Sequence, residues 1–402
     1  MSGRKKNVNA YTIRNKVKLI RGGREYFKLL IDLINCSTHS VHLQTYIFDD
    51  DETGSLVAEA MINASHRNVR VYFIADGYAS KVMSQSFINH FRAAGVYFKF
   101  FEPLFKSKHF YFGRRLHHKV VVVDGKHALV GGLNITNRYN DIQGNSAWLD
   151  FALYVQGEAA VQLFGICADM WKPDTMEIIP LPKNIDDFLD SLPEKEYCSV
   201  RVRRNDWVTN KIEIWRSYLE LFNHANKSIM IICSYFLPGW ELLTRLRKAV
   251  NRGVEVKIVL TGPTDVRIAK YAERYLYYWM LKNKIILYEY QPTVLHAKLA
   301  VTDSHWVNIG SYNINNISAH ASIEINLEVR NKIFAEQVQS EIEKIIENDC
   351  ILITNENYRM RYNLFKRFWH RLSYLVVQLI LNLFTFYFKR ERQIKVNDSS
   401  QV

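Results

Sequence analysis

At 402 residues the chain is too long for one small core and suits two domains of ordinary size. Apolar residues make up 48% and charged residues 23%, which excludes a largely disordered or low-complexity protein. The balance of 53 basic against 40 acidic residues leaves +13, which calls for a polyanionic partner but does not choose between nucleic acid and an anionic membrane surface.

In chain order, the N-terminal MSGRKKNVNAYTIRNKVKLI is basic, has no apolar run of the secretory kind, and reads as a solvated arm. From Glu25 to Phe48, Phe27, Leu30, Ile31 and Ile34 fall at helical spacing and lead through a turn into an alternating strand. Gly54 to His66 predicts a helix, Val69 to Ala75 a strand, Met83 to Ala94 a helix ended by Gly95, and Val96 to Phe101 a strand. A basic aromatic loop, Lys106 to Arg115, follows. Strands alternating with helices predict βαβ units and a mostly parallel sheet. The five cysteines show no C-x-x-C spacing and argue for free thiols rather than disulfides or zinc.

The same order then returns. Leu219 to Leu237 matches Leu30 to Phe48 in type, with Tyr235 opposite Tyr46, and Arg252 to Gly262 answers Arg67 to Gly77. A helix near Ile268 to Leu281 and a strand near Ile285 to Tyr290 complete the second copy. The repeat predicts a basic arm over 1–23, a first domain over 24–172, a proline-containing acidic linker over 173–205, a second domain over 206–350 and a basic, apolar tail over 351–402.

Each copy ends in the same constellation. LHHKVVVVDGKHALVGGLN holds His117, Lys119, Asp124 and Asn134; LHAKLAVTDSHWVNIGSYN holds His296, Lys298, Asp303, Ser311 and Asn313 at the same spacings. With a strand's period of two, each His and Lys share a face, while His118 is off-register and points into the core. A lone histidine of this kind reads as a satisfied packing residue; its repetition with lysine, glycine and asparagine reverses that reading. Asp150 and Glu324 head the next strand in each copy. Imidazole can attack phosphorus, lysine and asparagine can hold a phosphodiester's oxygens, and a second imidazole can move the proton. Asp124 and Asp303 are grouped with the catalytic set, although hydrogen bonding at a strand end suits them equally. Two lysines take the place of a metal, and no metal or cofactor is expected.

The duplicated H-x-K-x4-D motif, each followed by Gly-Gly-x-Asn or Gly-Ser-x-Asn, resembles the phospholipase D superfamily. TYIFDDDETG and RNVRVYFIADG are similar to its cardiolipin synthase branch, in the shorter bacterial form without an N-terminal transmembrane hairpin. The resemblance implies an α/β fold of two duplicated phospholipase D-like α/β/α domains, packed about a pseudo-two-fold axis with the active site between them. It implies that His117 and His296 share the roles of nucleophile and general acid/base, with His117 favoured for attack. Lys119, Lys298, Asn134 and Asn313 would hold the phosphate, with a hydroxyl contact from Ser311. Asp150 and Glu324 would each orient the opposite half's histidine.

Leu372 to Phe388 is a 17-residue apolar run flanked by basic residues, at the lower edge of what spans a bilayer. An interfacial or re-entrant helix is the expectation, placing the protein on the cytoplasmic side of the cell membrane as a peripheral or monotopic protein. The expected partners are anionic phospholipid, phosphatidylglycerol above all, and the membrane surface itself; no nucleic acid is expected, since a DNA-cutting enzyme has no use for such a tail. The expected activity is phosphatidyl transfer through a phosphatidyl-histidine to phosphatidylglycerol or another alcohol. The alternative is hydrolysis by a phospholipase D or nuclease with water as acceptor, while a membrane scaffold with a dead site is disfavoured because both motifs keep their His, Lys and Asp.

Overall fold

The computed structural model describes residues 10–102, 114–142, 144–171, 180–206, 211–315, 318 and 322–380. The first half runs β1 (Asn15–Arg21), α1 (Arg24–Asn35), β2 (Ser40–Thr45), α2 (Glu52–His66), β3 (Arg70–Asp76), α3 (Gln85–Ala93), β4 (Tyr97–Phe101), β5 (Arg115–Leu116), β6 (Val120–Val123), β7 (His127–Gly131), β8 (Phe151–Gly157) and α4 (Glu158–Trp171). After α5 (Ile185–Asp190) the second half runs β9 (Ser199–Asp206), β10 (Lys211–Ile212), α6 (Glu213–His224), β11 (Ser228–Cys233), α7 (Trp240–Asn251), β12 (Glu255–Thr261) and α8 (Arg267–Lys282). It continues through β13 (Ile286–Tyr290), β14 (Lys298–Thr302), β15 (Trp306–Gly310), β16 (Ser322–Arg330), α9 (Lys332–Asp349), β17 (Cys350–Ile353) and α10 (Asn355–Arg361).

The first sheet has the order β1-β8-β7-β6-β2-β3-β4 and the second β10-β9-β16-β15-β14-β11-β12-β13-β17. Strand for strand, β9-β16-β15-β14-β11-β12-β13 repeats the first sheet. Two features differ from the sequence reading. Only β2-β3-β4 and β11-β12-β13 pair in parallel; the other pairs within each sheet are antiparallel, so the sheets are mixed rather than mostly parallel. The cause is local. Asp124 and Gly125 have φ of 54° and 65°, and Asp303 and Ser304 have 53° and 51°, so each motif strand closes a tight turn and doubles back as a hairpin.

Second, each unit starts one strand earlier than its helix. β1 lies in the stretch read as an arm and pairs with β8; β9 lies in the stretch read as linker and pairs with β16; β17, from the tail, pairs with β13. In NKVKLIR, lysines alternate with apolar residues on an edge strand, which gives a basic composition to a paired segment.

A buried cluster shared by both halves joins Val122, Leu153 and Phe164 to Val202, Leu299, Leu327 and Phe334, so β6 to β8 and α4 pack against β9 and β14 to β16 with α9. Each half also has its own core on the far side of its sheet. A last helix covers 364–380. It seats one face on α8: the buried His370 lies between the Tyr271 and Tyr362 rings, at 5.6 and 5.0 Å between centroids, and Tyr374 lies 4.7 Å from Tyr275. Phe365, Trp369, Leu375 and Leu379 are exposed on its other side, and Leu364 and Phe368, also exposed, border a groove shared with α8. Among the described residues no helix is long and apolar enough to cross a membrane. The tail's residues 381–388, and the basic aromatic loop except Arg114 and Arg115, lie outside the described residues. Those two arginines are ion-paired, Arg114 to Glu102 and Asp206 and Arg115 to Asp76.

Candidate active site

The halves meet through backbone pairing that crosses between them. β5 runs parallel to the start of β16, with Leu116 opposite Ile323, and the amide of His117 donates to the Ile323 carbonyl at 3.0 Å. Symmetrically, Leu149 bridges Leu295, and the amide of His296 donates to the Leu149 carbonyl at 2.8 Å. The residue after Ile323 is Glu324 and the residue after Leu149 is Asp150. The crossover therefore delivers each acid to the other half's histidine.

His117 Nδ1 lies 2.9 Å from Glu324 Oε2, and His296 Nδ1 lies 2.7 Å from Asp150 Oδ2. Both carboxylates are fully buried. A carboxylate on Nδ1 fixes each ring and its tautomer and leaves Nε2 as the nitrogen able to react. Tyr46 packs edge-on against His117 with centroids 4.8 Å apart, and Tyr139 does the same to His296 at 5.1 Å.

The lysines run beside the histidines. Lys119 Nζ donates to the His117 carbonyl at 3.0 Å and lies 5.0 Å from the Tyr46 ring centre. Lys298 Nζ donates to the His296 carbonyl and to Ser234 Oγ, which in turn donates to Asn313 Oδ1 at 2.6 Å. Asn134 Oδ1 accepts from the Ile47 amide at 3.1 Å while its Nδ2 donates to the Tyr139 hydroxyl at 3.0 Å. Ser311 Oγ donates to Glu324 Oε2 and accepts from the Ile325 amide at 3.0 Å.

Burial governs the charges. It pushes Lys119 well below its ordinary value, with the neighbouring Lys298 adding to the fall, and it lowers Lys298 as well. Burial also lowers His117 and takes His296 well down, the latter helped by both lysines. Asp150 is lifted to about 7 by burial against the opposing pull of Lys298. Each half's lysine thus acts on groups of the other, and burial disfavours charge on Lys119, Lys298, His117, His296 and Asp150.

The motif aspartates stand elsewhere. Asp124 accepts from the amides of Thr38, His39 and Ser40, and Asp303 from those of Asn226, Lys227 and Ser228. Six residues of strand and turn, at about 3.3 Å each, lie between each and its motif histidine. They tie the loop entering β2 or β11 to the far end of the motif strand. His118 is buried against Gln44, with Nδ1 3.0 Å from Oε1. Ser234, Tyr46 and Tyr139 escaped the sequence reading; the alignment of Tyr46 with Tyr235 was the available signal, since Ser234 precedes Tyr235 at the strand end. Among the described residues no three His, Cys, Asp or Glu side chains are grouped to hold a metal ion.

The profile of the family described as cardiolipin synthase, PLD-like domain, matches residues 30–162 and 218–346. Cardiolipin synthase B of Salmonella typhi is 30% identical over 348 residues, covering 84% of this chain and 81% of that protein. Cardiolipin synthase B of Escherichia coli strain K12 is 29% identical over 359 residues, with the same coverage. The crystal structure of phosphatidylserine synthase from Haemophilus influenzae superposes with a TM-score of 0.71 at 14% identity, over 94% of this chain and 97% of that one. The duplicated fold, the crossed pairs and these relatives lead to one assignment: the chain belongs to the cardiolipin synthase branch of the phospholipase D superfamily, enzymes of the phosphatidyltransferase type.

Proposed function

We propose that the protein transfers a phosphatidyl group from one phosphatidylglycerol to the hydroxyl of another through a histidine-bound intermediate. The observation that carries this reading is the crossed pairing, His117 on Glu324 and His296 on Asp150. His117 Nε2 attacks phosphorus; a P–N bond forms as the P–O bond to glycerol breaks, and His296 gives its proton to the departing oxygen. His296 then takes the proton of the incoming hydroxyl, whose oxygen displaces His117 and yields cardiolipin. An acid lifted to about 7 behind His296 suits a pair that accepts and releases protons near neutrality. Lys119 and Lys298, with Asn134, Asn313 and Ser311 supporting, hold the phosphate. Two buried lysines pressed to lose their charge regain it when an anionic phosphodiester sits between them, which is where preorganised electrostatics contributes most.

The exposed apolar row of helix 364–380, beside Lys366, Arg367 and Arg371, lies in the headgroup region of an anionic membrane on its cytoplasmic side, without crossing it. The test is the purified protein on phosphatidylglycerol liposomes without added metal, with products resolved by mass spectrometry. Cardiolipin and glycerol, absent with His117→Ala, support transfer. Phosphatidic acid alone would make water the acceptor and refute it.

A further inference from the structure

On the outer face of the second unit, a groove of about 980 Å³ opens between α7, α8, α10 and helix 364–380. Trp240, Trp279 and Phe368 supply aromatic walls, with Trp240 and Phe368 at 69% and 60% exposure. Lys282, Arg359 and Arg371 reach the same groove from three different elements, and no acidic side chain lines it. Among the described residues none of these three cations has an ion-pair partner; the other cations of this region are engaged, Arg274 with Glu289 and Arg367 over the Tyr358 ring. Three cations lining one groove without an acidic neighbour leave it at a positive potential that an anion complements.

We propose that this groove binds one anionic phospholipid outside the reaction centre, its phosphate held by Lys282, Arg359 and Arg371 and its glycerol and upper chains against Trp240, Trp279 and Phe368. The volume is of the order that ligand pockets occupy, and the pattern of apolar wall with few convergent charges is that of a specific site. None of the lining residues belongs to the histidine cluster, so the bound lipid is not substrate in place for reaction. It is a ligand that fastens helix 364–380 to the body at the bilayer surface. The assignment rests on the membrane placement of that helix and not on the transfer chemistry.

A soluble probe separates the two readings, because it needs no membrane. The full chain carrying His117→Ala is titrated with a brominated short-chain phosphatidylglycerol below its critical micelle concentration, and tryptophan quenching is followed. A saturable component of quenching is expected that is missing from the Trp240→Phe/Trp279→Phe variant, apart from quenching of Trp148, whose ring lies 6.2 Å from that of His296 at the reaction centre. The phosphatidylcholine analogue is expected to bind about tenfold more weakly or worse, and so is the phosphatidylglycerol probe to a Lys282→Gln/Arg359→Gln/Arg371→Gln variant of unchanged thermal midpoint. Equal binding of the two lipids, indifference to the charge-neutral variant, or quenching of the same amplitude without both tryptophans would overturn the proposal. So would no quenching at all. Failure of the full chain to sediment with liposomes, with groove binding intact, would instead count against the membrane placement alone.

Discussion

Gly132 and Asp150 compete for one space: a Cβ added at 132 would overlap both carboxylate oxygens of Asp150. The matching position in the other half is Ser311, whose hydroxyl donates to Glu324. The shorter acid sits where the second half has a serine, and the longer acid leaves room for that serine. Gly132→Ser is therefore expected to displace Asp150, unseat His296 and lower kcat by about 10²-fold, the usual worth of a positioned acid/base. Ser311→Gly opens space instead and costs Glu324 one donor, so a loss of about tenfold or less is expected. A steady-state comparison of the two variants checks this; equal losses would contradict the asymmetry.

Glu324→Gln and Asp150→Asn each remove the charge opposite a histidine while keeping its shape. Both are expected to lower kcat by about 10²-fold or more with little change in KM. Asp150→Asn should in addition displace the acid limb of the pH profile, because Asp150 is the acid lifted to about 7. An unmoved profile in Asp150→Asn would assign the titration elsewhere.

The motif aspartates give the opposite signature. Asp124→Ala and Asp303→Ala each leave three amides of a strand-entry loop without an acceptor, at a cost of about 1–3 kcal/mol in stability. At a temperature where the fold is intact kcat should stay within a few-fold. Paired thermal melts and activity assays at low temperature measure both.

These aspartates mark where sequence reading ends. The repeat, the His–Lys face and the acids at the strand heads were legible because the chain carries each of them twice in fixed order. Composition hid β1 and β9: the lysines of β1 alternate along an edge strand, and Arg201 and Arg203 of β9 are ion-paired to Glu328 of the neighbouring strand. The antiparallel hairpins were hidden in turns whose positive φ falls on Asp124, Asp303 and Ser304 rather than on glycine alone. Ser234 was illegible because a single serine gains its role only when Lys298 and Asn313 fold beside it.

Two histidines outside the site set a pH dependence of stability. Burial lowers both His42 and His118 from 6.5 to about 3. Between those values the unfolded chain binds protons that the folded chain refuses, so stability rises with pH through this window and is lost as pH falls. Each contributes a loss of about 2 kcal/mol between pH 7 and pH 5. Denaturant titrations should show a smaller fall over that interval for His42→Phe, whose ring joins Tyr72 and Phe164; an identical fall would contradict the assignment.

On helix 364–380, Leu375 and Leu379 are 54% and 60% exposed and face away from α8. Leu375→Asp/Leu379→Asp is expected to weaken sedimentation with phosphatidylglycerol liposomes by at least tenfold, given about 1.5–3 kcal/mol for each leucine buried in lipid. The thermal midpoint should barely move. Unchanged sedimentation would remove this face from the membrane.

The proposed reaction is a double displacement at phosphorus between two crossed histidine–acid pairs. It is tested most directly with a phosphatidylglycerol analogue that is chiral at phosphorus through a sulfur-for-oxygen replacement, by reading the configuration of the cardiolipin formed. Two in-line steps through a histidine-bound phosphatidyl group predict retention of configuration. Inversion would mean a single direct displacement and would contradict the account.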